Sequence, residues 1–259
     1  MRAESSPISI GRGPRFLAAL FAVTASNAFS APIVAQNAGP QSTSAAVTSL
    51  SPFASHKAET LLREKLPCLG CHTLKGDGGK IGPELTTVRE RRTPQYIAAM
   101  VSDPQATAPG SAMPKTAMPE ATRTLIVRYL TSLPGSATSD APTPRPAIAA
   151  TSDGAALYAR WCAACHGTTG QGDGPNASNL PVKSAAHADA QMMSKRPDDS
   201  LYDTIAGGGA IMNRSARMPA FGATLTAPEI RALVAHIRAL CNCKGPEWSR
   251  DGSAAAGTH

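Results

Sequence analysis

Apolar residues in this 259-residue chain gather into short amphipathic runs separated by polar, Pro- and Gly-containing stretches. The clearest helical period lies late in the chain. Ile230, Leu233, Val234, Ile237 and Leu240 share one face, behind a first turn that contains Pro228 and Glu229. Leu125, Ile126, Tyr129, Leu130 and Leu133 repeat that face earlier in the chain. Two further helices are predicted between these landmarks, one starting at Thr93-Pro94 and one near Pro197-Asp198, the latter stopping at Gly207-Gly208-Gly209. No run alternates long enough to read as a strand, so the expected class is all-α.

The order of signals divides the chain. Arg2, Arg12 and Arg15 precede an apolar stretch that begins at Phe16 and runs to about Ala31, the pattern of an export signal over residues 1–35, with cleavage after Ser30 or after Ala35. Thr24, Ser26, Asn27 and Ser30 interrupt that stretch, which falls short of the ~20 apolar residues of a membrane span; membrane association follows only if it stays uncleaved. Residues 36–51 read as a flexible leader, 52–133 as a first domain, 134–152 as a linker containing Pro142, Pro144 and Pro146, 153–244 as a second domain, and 245–259 as a disordered tail. An exported chain of this kind is expected in the periplasm. With 22 Gly, 22 Pro and only 4% aromatic residues, two cores built from side chains alone are marginal. A domain near 80 residues buries only about 60 to 65% of its unfolded surface, and a large apolar cofactor in each domain resolves the shortage.

Such a cofactor is indicated by the strongest motif. Cys68-Leu69-Gly70-Cys71-His72 recurs as Cys162-Ala163-Ala164-Cys165-His166, at matching places in an internal repeat. Two thiols three apart on a helical turn each add to one vinyl group of haem, and the next residue presents an imidazole to the iron. A redox dithiol or half of a zinc site is the competing reading of Cys-x-x-Cys. The implied cofactors are two covalently bound haem c groups, attached through Cys68, Cys71, Cys162 and Cys165, with His72 and His166 as proximal ligands. Met113 and Met218, each followed by Pro, are the candidate distal ligands, because a soft thioether favours Fe(II) and raises the potential. Met118 also precedes Pro and is the rival to Met113. Met192, Met193 and Met212 read as packing around a haem edge.

On these residues both halves resemble class I cytochrome c domains, and the pair is similar to the periplasmic dihaem cytochromes c: two tandem all-α domains joined by a Pro-rich linker. The resemblance implies that a Pro carbonyl accepts a hydrogen bond from each proximal His, which places Pro83 and Pro175 in that role. It also implies a contact between first and last helices, with Gly154 and Tyr158 facing Leu233 and His236. The first domain departs from it, since Thr60 and Glu64 stand at the equivalent offsets, and the contact is expected to fall to Ala58 and Leu62 instead. Cys241 and Cys243 lie outside the family pattern and form a local disulfide, stay as thiols, or link to another chain. His56 and His187 read as solvent-facing, with each able to replace a Met as distal ligand, His236 as helix packing and His259 as part of the tail. Arg89-Glu90-Arg91-Arg92 reads as a solvated face or as a docking patch for an acidic partner.

Charge adds little. The formal +7 drops to +5 once residues 1–35, with three Arg and one Glu, are removed, and four haem propionates nearly cancel the remainder. No basic stripe interleaved with aromatics points to nucleic acid. The resemblance implies an electron carrier between a redox protein donor and a redox protein acceptor, neither identified. The alternatives are the electron-accepting subunit of a periplasmic oxidoreductase, or a dihaem enzyme such as a peroxidase or sulfur-compound dehydrogenase. Met-Pro in both halves argues against an enzyme, which needs an open iron position.

Overall fold

The first helix, α1 (Pro52–Thr60), starts where Ser51 accepts the Ala54 N–H and Pro52 occupies the first turn, a place where a missing N–H costs nothing. The computed structural model describes residues 49–140 and 152–249. The export signal, nearly all of the leader, the Pro142 to Pro146 stretch and the tail from residue 250, with His259, lie outside them. All described residues belong to a single compact unit.

After α1 the chain widens into a π turn at Leu61–Lys65, where the Leu66 N–H returns to the Leu61 carbonyl. A π turn inserts one extra residue into a helix. Together with Pro67 it delays the Cys68 segment, and Ala58 and Leu62 are wholly buried. A 3-10 turn, Pro67–Gly70, leads into Cys71-His72. Directly after it come β1 (Thr73–Leu74) and β2 (Asp77–Gly78), antiparallel, with Thr73 opposite Gly78 and Leu74 opposite Asp77. Lys75 (φ 51°) and Gly76 (φ 84°) form the tight two-residue turn whose twist suits such a hairpin. Two residues per strand are too few to show alternation, which is why the sequence pattern predicts no strand here. Helix α2 (Pro94–Ser102) is capped by Thr93 and packs on α3 (Glu120–Ser132), whose Ile126, Tyr129 and Leu130 complete the core with Leu62, Leu69 and Leu74.

The second domain repeats this plan with α4 (Gly154–Trp161), α5 (Asp198–Gly207) and α6 (Ala227–Cys241). A reciprocal capping box between Thr226 and Glu229 starts α6, and Asn242, left-handed at φ 46°, ends it. Its apolar face, Ile230, Leu233, Val234 and Ile237, is buried against α4 and α5. Gly154 permits the closest crossing: a Cβ there would lie 2.3 Å from the Ala232 carbonyl oxygen. One turn on, the Tyr158 ring meets His236 with centroids 5.0 Å apart.

Both domains run further than composition suggests. In the expected linker, Ala137 donates to the Arg89 carbonyl and the Asp140 carboxylate takes the Thr93 N–H at 2.9 Å and the Thr93 hydroxyl. In the expected tail, Glu247–Ser249 forms a short turn and Ser249 is buried. Pro, Ser and Gly content marks a segment unable to build a core of its own, yet such a segment still packs on one that exists.

Three elements of the first domain meet at Glu59, whose carboxylate accepts from Lys75 Nζ at 2.7 Å, Arg63 Nη2 at 2.9 Å and the Tyr129 hydroxyl at 3.1 Å. The Lys75 hydrogen bond is the largest cause that lowers its pKa from 4.5 to about 2. Because the folded value lies below the unfolded one, this stabilisation is complete above pH 4.5 and is lost as the pH falls through about 2. The carboxylate is only partly buried, so Glu59→Gln is expected to cost about 1 kcal/mol at neutral pH. In circular dichroism melts the gap between variant and parent should close on acidification over that window. A gap that stays constant with pH would show that Glu59 does not carry it.

Candidate haem-binding sites

Each Cys-x-x-Cys-His segment is set by a helical turn. The His72 N–H bonds the Cys68 carbonyl at 2.9 Å, and the His166 N–H bonds the Cys162 carbonyl at 2.9 Å. Both imidazoles are then fixed through Nδ1: His72 to the Pro83 carbonyl at 2.8 Å, and His166 to the Ala185 carbonyl at 2.9 Å. An imidazole that donates from Nδ1 presents Nε2 as a bare electron pair, the form a metal takes. Burial lowers the pKa of both rings and keeps them neutral.

The second of these carbonyls corrects the sequence reading, which puts Pro175 beside His166. Pro175 follows Gly174, where a Cβ would lie 2.5 Å from the carbonyls of Ala163 and Ala164, and it precedes Asn176, whose N–H bonds Ala164 at 2.9 Å. That stretch is therefore pressed against the attachment turn itself. The carbonyl that reaches the imidazole comes later, 19 residues past His166, against 11 past His72 in the first domain.

The four motif cysteines are unpaired, while Cys241 and Cys243 form a local disulfide. Burial pushes the Cys68 thiol up to about 11 and the Cys71 and Cys162 thiols to about 12. A redox dithiol requires a depressed pKa, so thiols pushed up by burial do not suit one. Among the described residues no cluster of three or more His, Cys, Asp or Glu could hold a metal ion. Beside Met218, the buried Nη1 of Arg217 has no hydrogen-bond partner. Unpaired cysteines beside an imidazole with a bare Nε2 fit a covalent haem at each segment, and the orphaned guanidinium nitrogen adds a polar group at the second.

The methionines differ in setting. Met218 and Met192 pack on the second core and Met193 is buried within it. Met118 packs on the first core, whereas Met113 is half-buried in a loop held by its backbone, with its N–H on Ser111 Oγ at 3.1 Å and its carbonyl on Gln105 Nε2. His56 is exposed. His187 is not solvent-facing as its sequence context suggests: it stacks on His166, centroids 4.1 Å apart and planes 13° from parallel, with the Tyr158 hydroxyl 3.0 Å from Nδ1. Burial takes its pKa down to about 3. The surrounding Ala and Asp residues give no apolar period to reveal this. The basic run at Arg89 to Arg92 spends much of its charge locally, Arg89 on the Arg92 carbonyl, Arg91 on Thr87 and the Glu84 carbonyl, and Arg92 over the Tyr96 ring at 4.6 Å.

Sequence reasoning missed the residues that join the two sites. The wholly buried Asn176 donates from Nδ2 to the Gly70 carbonyl at 2.8 Å, lies 3.4 Å from Cys165 Sγ, and accepts the Lys80 N–H at 2.9 Å. A Cβ on Gly70 would lie 2.0 Å from the Arg217 carbonyl oxygen. Arg217 Nη2 pairs with Asp77 at 3.0 Å. The Met113 loop is gripped on both sides: Ser111 accepts from Arg160 at 3.0 Å, and Lys115 donates to Thr224 at 2.8 Å. The only advance signal is Gly70 standing where the second motif has Ala164.

Comparison with known proteins gives a family for each half. Residues 57–134 match the family described as cytochrome c, and residues 149–237 match the family described as cytochrome c oxidase, cbb3-type, subunit III. A solved chain of a reducing HAO-like protein complex from Kuenenia stuttgartiensis is similar over 74% of this chain and 97% of that one, at 19% identity and a TM-score of 0.29, too loose a likeness to carry an argument. No curated protein matches. Each family match encloses one Cys-x-x-Cys-His segment with its buried, carbonyl-anchored histidine, and the chain therefore belongs to the c-type cytochromes, as two cytochrome c domains in tandem.

Proposed function

We infer that this chain is an exported dihaem electron carrier, taking single electrons from one redox protein and passing them to another. Cytochrome c domains imply electron transfer through covalently bound haem c. The observation that carries the finer reading is the pair of buried imidazoles, each anchored through Nδ1 to a main-chain carbonyl with Met-Pro available later in the same domain. The bound haem supplies an iron that alternates between Fe(II) and Fe(III). The chain's own groups do the rest. Cys68, Cys71, Cys162 and Cys165 give it covalent attachment, and His72 and His166 are fixed ligands that do not reorient when the charge changes. Met113 and Met218 are the thioethers assigned to hold the iron with them, and such ligands would favour the reduced state. A haem held by His and Met in each domain would leave no position for a substrate at the metal, which would suit a carrier rather than an oxygen activator. Placement in the periplasm rests on the Arg-led apolar segment at the N-terminus. Among the described residues no helix is long and apolar enough to cross a membrane.

Thioether bonds survive unfolding, so mass spectrometry of the denatured mature protein should give the polypeptide plus two haem masses. One retained haem, or none, would sink the dihaem reading.

The ligand assignment is tested separately. Met113→Leu should open the first haem to carbon monoxide, Met118→Leu should leave spectrum and potential nearly unchanged, and Met218→His should stay six-coordinate at a lower potential. Exchanged results for Met113 and Met118 would move the first-domain ligand to Met118. Rapid stoichiometric carbon monoxide binding by the unaltered protein would favour an enzyme.

A further inference from the structure

The contact between the domains falls on the segments that carry the haem-attachment cysteines. Buried polar groups are stable only when bonded, and Asn176 meets that demand across the boundary. Its Nδ2 reaches the main-chain oxygen of Gly70, between Cys68 and Cys71, and lies within contact of Cys165 Sγ, while its Oδ1 holds the Lys80 amide. Gly70 supplies an independent argument. The equivalent position of the second motif is Ala164, so haem attachment does not itself require glycine there. What requires it is the Arg217 carbonyl, 2.0 Å from where a Cβ would stand. Arg217 then reaches back to Asp77 at 3.0 Å, and its own side chain is only 10% exposed. One domain's attachment turn is thereby packed against the loop that carries the other domain's Met218.

We propose that this contact is an interdomain lock, with Asn176 as its positioning residue, that holds the two attachment segments side by side and makes the domains one internally conducting pair rather than two carriers on a tether. This rests on the electron-transfer reading above. What passes is one electron: one domain is oxidised as the other is reduced, with no bond made or broken and no proton moved. Because the two attachment segments cover each other, an outside partner meets some other face of each domain.

The test uses the full-length holoprotein and two variants, Asn176→Ala and Gly70→Ala. Three quantities are read on each: haem content by denatured mass, the cooperativity of unfolding, and the rate of internal electron exchange after flash reduction by a photoexcited flavin. Both variants should keep two haems, unfold in two separated transitions and exchange at least about tenfold more slowly, Asn176→Ala because a buried bond left unmade weakens the docked state by about tenfold and Gly70→Ala because its Cβ forces the Arg217 backbone away. Asp77→Asn removes the Arg217 charge pair without adding bulk, and it should slow exchange in the same direction if Gly70→Ala yields no holoprotein. Two-haem variants that exchange and unfold like the parent would overturn the lock and leave the carrier reading standing. A parent that lacks two haems would instead overturn the carrier reading.

Discussion

A carboxamide with no exposed surface must find partners for both its oxygen and its nitrogen, and Asn176 of the second domain finds both on the first, at the Lys80 N–H and the Gly70 carbonyl. Much of the local architecture is arranged to let it. Gly79 has no side chain because a Cβ would come within 2.8 Å of the Asn176 amide nitrogen, and Gly70 has none because the Arg217 backbone passes there. The π turn at Leu61–Lys65 and the short hairpin behind His72 bring the first attachment segment and Asp77 to the same boundary. Around this centre the two Met-bearing loops are gripped reciprocally, Met113's between Arg160 and Thr224 of the second domain, Met218's against Gly70 and Asp77 of the first.

The same chemical requirement is met twice by different means. Each proximal imidazole needs an acceptor at Nδ1, and each has a main-chain carbonyl within 3 Å. In the first domain a short loop delivers it from Pro83. In the second, the stretch around Pro175 and Asn176 is committed to the attachment turn and the domain boundary, and a later residue, Ala185, turns its carbonyl inward. A carbonyl belongs to every residue, so the backbone path and not the side chain decides which one serves. Behind His166, His187 adds a stacked ring held by Tyr158, for which the first domain has no counterpart among the described residues.

What the sequence disclosed was whatever its spacing determines by itself. The Gly154 crossing is implied by the family resemblance, while the Cys-x-x-Cys-His turns and the amphipathic faces of α3 and α6 follow from short-range geometry. Pro175, His187 and Asn176 do not. Their surroundings come from residues distant in the chain or from the path of a loop, and Asn, His and Pro in Gly-rich loops look alike whether they face water or another domain. The ordering of Pro134 to Asp140 was hidden for a related reason: composition reports whether a segment can build a core, not whether it can lie against one.

The disulfide between Cys241 and Cys243 has a meaning for how this protein matures. Six thiols emerge on one chain, four of them in the Cys-x-x-Cys-His segments. A thiol tied up in a disulfide cannot add to a vinyl group. The two surplus cysteines have a single residue between them and are joined to each other, while all four motif cysteines are unpaired. With Asn242 in the left-handed conformation at the end of α6, the chain reverses where the two sulfurs join. With the surplus pair closed on itself, every sulfur of the two Cys-x-x-Cys-His segments stays available for attachment.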